Sequence, residues 1–193
     1  MKLYYATTNP GKVLSMKRDL GKFSVEVEQV KIDLPESRSS DVRIIAEEKI
    51  NYAFKEIKKP VIALDAGFYI HSLNGFPRAF VNFALETIDL EGILKLVEYK
   101  DSKCEFRECV GYMDNKRDSP MFFISKVPGI IADKPRGEIQ KHLWSRLGLI
   151  FIPDGSNKTL GEMTYDEYLD WRKEYRDKHS TAMQLGKWLI KPR

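Results

Sequence analysis

Asn9-Pro10-Gly11-Lys12 holds the ingredients of an anion site, because it joins a short apolar strand, Lys2 to Ala6, to a helix. Asn9 suits the N-cap, where its side-chain oxygen accepts a backbone N–H. Pro10 suits the first helical position, which needs no N–H. The free N–H groups of that first turn favour a negative charge. Lys12 reads in two ways, as a solvated surface lysine or as a ligand for a phosphate held by the same turn. The spacing is not that of a Walker A loop. Asp65 closes the apolar run Pro60-Val61-Ile62-Ala63-Leu64 and precedes Ala66-Gly67. A carboxylate at such a strand end either holds a hard cation or takes a proton from water. It is equally a residue type that bonds its own turn. Glu36, in the Leu34-Pro35-Glu36-Ser37 loop, gains interest if it meets Asp65, since two carboxylates with phosphate oxygens make a magnesium site. Lys158 follows the turn Pro153 to Asn157 and could reach a phosphate, or the segment simply caps the next helical turn. His179 lies in a charged helical stretch, where a lone histidine is ordinarily a surface residue.

The elements that position these residues follow from periodicity. The strand at 2–6 leads to a helix from Pro10 to Gly21, and Ser24 to Val30 alternates as a half-buried strand does. A helix from Asp41 to Lys58 carries Val42, Ile45, Ala46, Ile50, Ala53 and Phe54 on one stripe. Pro60 to Leu64 reads as a central strand ending at Asp65-Ala66-Gly67. Strand, helix, strand, helix, strand is the α/β pattern. Beyond it, Phe68-Tyr69-Ile70 reads as a separate short strand and Glu86 to Glu98 as one helix. Cys104 to Met113 and Pro120 to Val127 read as long strands joined by a polar turn. Gly129 to Ile131 begins another short strand, Leu149 to Ile152 forms one more, and Thr164 to Lys191 is helix with little interruption.

At 193 residues the chain fits one domain, or one domain with a small lobe. The net charge of +4 comes from dispersed Lys and Arg, which argues against a dedicated nucleic-acid binder and suits a polyanionic small molecule. Cys104 and Cys109 lack the spacing of a zinc site or a disulfide framework, so a reducing cytoplasm is expected. No leader pattern opens the sequence, and no apolar run reaches membrane-spanning length.

Taken together, these segments resemble the Ham1/inosine triphosphate pyrophosphatase family, in its archaeal form. Ala6-Thr7-Thr8-Asn9-Pro10-Gly11-Lys12 is similar to the family's T-G-N-x-x-K phosphate loop. Leu34-Pro35-Glu36 resembles its metal-binding Pro-Glu loop, and Leu64-Asp65-Ala66-Gly67-Phe68 its catalytic E/D-D-S-G-F/L segment. Leu73 to Pro77, Glu86-Thr87-Ile88, Glu91 to Leu96, Pro128 to Ile131, Pro135-Arg136-Gly137, Phe151-Ile152-Pro153 and Lys158 to Met163 match in order. The resemblance implies a single domain over 1–193, elongated and α/β, with a mixed sheet flanked by helices and a cleft between two lobes. It implies a cytoplasmic homodimer that hydrolyses a nucleoside triphosphate to the monophosphate and pyrophosphate with Mg²⁺. Asp65 would be catalytic, and Glu36 and Asp65 would hold the metal. Thr7, Thr8, Asn9, Lys12, Ala66, Gly67, Lys158, Lys178, His179 and Ser180 would bind substrate.

The departures are not evenly distributed. Leu64 replaces the first acid of the pair, Ala66 the serine, and Thr8 a glycine. The family's F-P-G reads Phe76-Pro77-Arg78. Ser145-Arg146-Leu147-Gly148-Leu149 stands where the family reads the base with F-G-Y/W-D-P, and Lys178-His179-Ser180 stands for S-H-R. The lysine that follows two acids in the family aligns with Tyr168. Asn9, Lys12, Glu36 and Asp65 persist on the phosphate side, while the base-side residues are mostly gone. The expectation is therefore a pyrophosphohydrolase with altered base specificity, or else an inactive relative kept for nucleotide binding or assembly.

Overall fold

The computed structural model describes residues 1–191; the last two residues of the expected 1–193 domain lie outside the described residues. Seven strands form one sheet in the order β2-β1-β3-β5-β6-β7, with β4 paired to β3. They are β1 (Lys2–Ala6), β2 (Glu26–Val30), β3 (Val61–Ile70), β4 (Pro77–Arg78), β5 (Lys103–Met113), β6 (Met121–Ile131) and β7 (Phe151–Pro153). β1 is parallel to both β2 and β3, whereas β4 on β3 and β7 on β6 are antiparallel. The sheet is mixed, and the α/β expectation holds. The helices are α1 (Pro10–Gly21), α2 (Val42–Ile57), α3 (Val81–Thr87), α4 (Asp89–Val97), α5 (Tyr165–Trp171) and α6 (Thr181–Leu189). No helix among the described residues is long and apolar enough to cross a membrane.

The chain divides into two compact units. The first comprises Met1–Ala66, Glu108–Ser125 and His179–Arg193. Strand alternation sorts its core into two faces. Leu3, Tyr5, Ile62, Leu64, Val110 and Tyr112 pack under Val13, Met16 and Leu20 of α1 and Ala182 and Leu185 of α6. Ala6, Val61, Ala63 and Met113 face the other way, onto Ile50 and Ala53 of α2. The second unit comprises Gly67–Arg107 and Lys126–Lys178. Its core gathers Phe68, Ile70, Ile93, Val127, Phe151 and Trp171.

Four expected elements differ. The strand that was to end at Asp65-Ala66-Gly67 continues to Ile70, so Phe68 to Ile70 is no separate strand. Gly67 permits this: a Cβ there would lie 2.6 Å from the Arg78 carbonyl oxygen on β4. Gly129 to Ile131 likewise belongs to β6, paired with β7. The Leu149 to Ile152 strand is instead a 3₁₀ turn, Arg146–Leu149, followed by β7. The single helix at 86–98 is two, because Asp89 adopts φ +53°, outside the helical region, and binds Arg146.

The long C-terminal helix is also interrupted. α5 opens with a capping box between Thr164 and Glu167. It then loosens into a π turn over Arg172–Arg176 and a 3₁₀ turn over Asp177–His179. Arg172, 2% exposed, donates through Nε and Nη2 to Asp177 Oδ1 at 3.1 and 3.0 Å. Burying a guanidinium requires such a partner, and it lies five residues on along the widened turn. Ser180 then caps α6 by accepting from the Met183 N–H.

Candidate active site

The N-terminus of α1 is built as its sequence dictates. Asn9 Oδ1 accepts from the Lys12 N–H at 3.1 Å, and Pro10 opens the helix. Thr7 Oγ1 accepts from the Asn9 N–H at 3.2 Å, which fixes the approach to the cap. Thr8 is exposed at the tip of the turn. The first turn of α1 carries no acidic residue.

Asp65 is 8% exposed and mid-strand rather than terminal. The parallel register sets Tyr5 level with Ile62, which places Asp65 beyond the end of β1. Its position is therefore still a strand-end position, supplied by the neighbouring strand. Alternation turns Asp65 toward the α2 face, and Lys49 of α2 places Nζ 2.5 Å from Asp65 Oδ1. Lys12 is half-buried. Burial lowers its amine below the ordinary lysine value; the Asp65 charge opposes that shift, Lys49 adds to it, and Glu108 opposes it. Lys12, Lys49, Asp65 and Glu108 thus form one electrostatic group within the first unit.

Glu36 is exposed, and no hydrogen bond or ion pair joins it to Asp65 among the described residues. No three His, Cys, Asp or Glu side chains among the described residues gather as a metal-binding group. His179 is exposed, and its carbonyl accepts from Gln184 Nε2 at 2.8 Å. Ser180 is buried at the cap of α6. Ala66 and Gly67 continue β3 past Asp65. Lys158 and Lys178 belong to the second unit and are both exposed. Lys158 Nζ lies 2.6 Å from Glu167 Oε1, and that bond, followed by the Thr164 N–H, holds the Glu167 carboxyl below its usual range. The pair borders an open groove of about 640 Å³ with Asn157, Trp171 and Tyr175. Of the base-side replacement, Leu147 is buried in the core and Arg146 is tied to Asp89.

Two charged members of the first-unit group escaped the sequence reading. Lys49 lies four residues after Ile45 and three after Ala46, on the stripe that α2 buries. A lysine on a core stripe was the available signal. Glu108 sits in β5 just ahead of the buried Cys109 and Val110 and is 5% exposed. A carboxylate two and four residues before Val110 and Tyr112, hence on their face, was the corresponding signal there.

Residues 3–174 match the family model described as the Ham1 family. A dITP/XTP pyrophosphatase of Methanopyrus kandleri is 38% identical over 170 residues, covering 86% of this chain and 87% of that protein. One of Pyrococcus horikoshii is 36% identical over 169 residues, with the same two coverages. The Ham1 protein of Staphylococcus aureus superimposes with a TM-score of 0.79 at 21% identity, covering 98% of both chains, a likeness of fold. With the family model spanning most of the chain and these relatives aligned along nearly all of it, the protein belongs to the Ham1 family.

Proposed function

We propose that this chain hydrolyses a nucleoside triphosphate to the monophosphate and pyrophosphate. The observation that carries the reading is the group of two lysines and Asp65 beside the Asn9-capped start of α1. The names of the relatives, dITP/XTP pyrophosphatases, support the same reaction. Lys12 and the first-turn N–H groups grip the polyphosphate. Lys49 fixes one oxygen of Asp65 and leaves Oδ2 to take a proton from water. That water attacks the α-phosphorus, the bond to the bridging oxygen breaks, and pyrophosphate departs with the electron pair.

The donor set suits Mg²⁺, which takes one or two carboxylates and fills the rest of its shell with water and phosphate oxygens. Asp65 would hold it, joined by Glu36 if the Pro35 loop brings that exposed carboxylate inward. Bound there, the ion would neutralise phosphate charge. The base specificity is altered from that of the inosine and xanthosine triphosphate enzymes. The replacement at Ser145 to Leu149 supports this, since its leucine serves the core and its arginine an ion pair.

A panel of standard and modified nucleoside triphosphates with Mg²⁺ tests the reading. Pyrophosphate release from at least one, abolished by Asp65→Asn, is expected. A silent panel, with a nucleotide still raising the melting temperature, would replace turnover by binding alone.

A further inference from the structure

The groove beside Lys158 and Glu167 is built wholly from the second unit. Glu167, Asp170, Trp171, Glu174 and Tyr175 recur at three and four residues, so they share one face of α5 and of the π turn that follows it. The facing wall is the turn from Gly155 to Lys158. Trp171 Nε1 donates to the Asp154 carbonyl at 2.9 Å and pins α5 to that turn. Gly155 has φ +82°, and a Cβ there would lie 2.5 Å from the Tyr175 ring, so the ring rests against bare backbone. Both walls are therefore fixed to each other. The volume, about 640 Å³, falls within the range of small-molecule sites.

Three carboxylates meet one ammonium in this groove, in a chain whose net charge is +4. Lys158 Nζ holds Glu167 at 2.6 Å. Asp170 and Glu174 are exposed and make no ion pair among the described residues. Glu174 accepts from the Tyr175 hydroxyl, which raises that phenol. Glu167 and Glu174 stand two helical turns apart, about 10 Å along the axis, too far to share one metal ion. Between them lie the rings of Trp171 and Tyr175, surfaces that attract a cation and cover a methylene chain. Separated negative charges with aromatic surface between them suit ammonium groups carried on an aliphatic stem. We propose that this groove binds a linear polyamine, one end on Asp170 and Glu174, the stem along Tyr175, and the other end on Glu167, where Lys158 stands in for the ligand when the groove is empty. Such binding requires nothing of the nucleotide chemistry proposed above.

Calorimetry of the full chain with spermidine tests this, with a neutral glycol of equal length as the control. Spermidine should bind and raise the melting temperature, and the glycol should do neither. Asp170→Asn combined with Glu174→Gln should weaken spermidine roughly five- to tenfold, and Tyr175→Ala roughly threefold. Lys158→Met should strengthen it roughly threefold, because Glu167 is freed. A lysine kept for phosphate would give no such gain, so the direction of change separates the two roles. The altered side chains are exposed, and the ligand-free melting temperature checks that each variant folds. Failure of spermidine to bind at millimolar concentration overturns the assignment. So does equal affinity in the double variant, which would mean diffuse attraction to the surface. A trilysine peptide binding roughly tenfold tighter than spermidine would overturn the free polyamine and give the groove to a lysine-rich segment of a partner protein.

Discussion

Lys49→Met probes the pairing on which the proposed chemistry depends. The Nζ–Oδ1 separation is 2.5 Å, with the two side chains 21% and 11% exposed. At an effective dielectric near 20, two unit charges so close attract by about 7 kcal/mol before solvation is counted. Taking both groups out of water offsets most of that. Leaving a fully buried partner alone costs about 3–5 kcal/mol, and the fifth of Lys49 that meets solvent reduces it, so about 2–3 kcal/mol is expected here. For a chain of this size that is a fall of about 5–10 °C in melting temperature. Pyrophosphate release should fall about a hundredfold, because Asp65 loses the contact that aims it. Calorimetric melting and a pyrophosphate-release assay measure both effects. Repeating Lys49→Met in an Asp65→Asn background isolates the pair, and there the loss of stability should be much smaller. An equal loss in both backgrounds would refute the reasoning, since packing of the lysine stem would then explain it.

Three further outcomes follow from the geometry. Arg172→Leu removes both hydrogen bonds from the buried guanidinium to Asp177 and should cost about 3–5 kcal/mol, seen as a large drop in melting temperature; a drop of under two degrees would deny the buried pair its role. Gly67→Ala pushes a methyl against the β4 backbone and should destabilise by about 1–3 kcal/mol in denaturant titrations, while Gly21→Ala, with open space around it, should not. Lys12 loses its proton below the ordinary lysine value of 10.5, so triphosphate affinity should fade as pH rises through that lowered value; Lys12→Arg should carry affinity to higher pH. The same depression makes charged Lys12 unfavourable to folding at low pH, a penalty that disappears as pH climbs toward 10.5.

Much of the frame was legible because local chemistry wrote it. Asn9 and Pro10 start α1 where capping rules put it, the stripe of α2 lies where the spacing of Ile45, Ala46, Ile50 and Ala53 set it, and β1 and β5 follow their patterns. Phosphate-side candidates were proposed for the same reason: a cap, a proline and a lysine fall within four residues, so their chemistry is local. What the chain alone could not express were relations between distant segments. Asp65 looked like a strand end because Ala66-Gly67 reads as a turn, yet pairing with β4 carries the strand onward, and it is the shorter β1 that leaves the carboxylate at an edge. Lys49 and Asp65 meet across 16 residues, and Glu108 meets Thr181 at the start of α6 across 73. Hydrophobic period and capping are decided within a few residues, whereas the partner of a buried charge is decided by which strands lie side by side, and that is a property of the folded sheet.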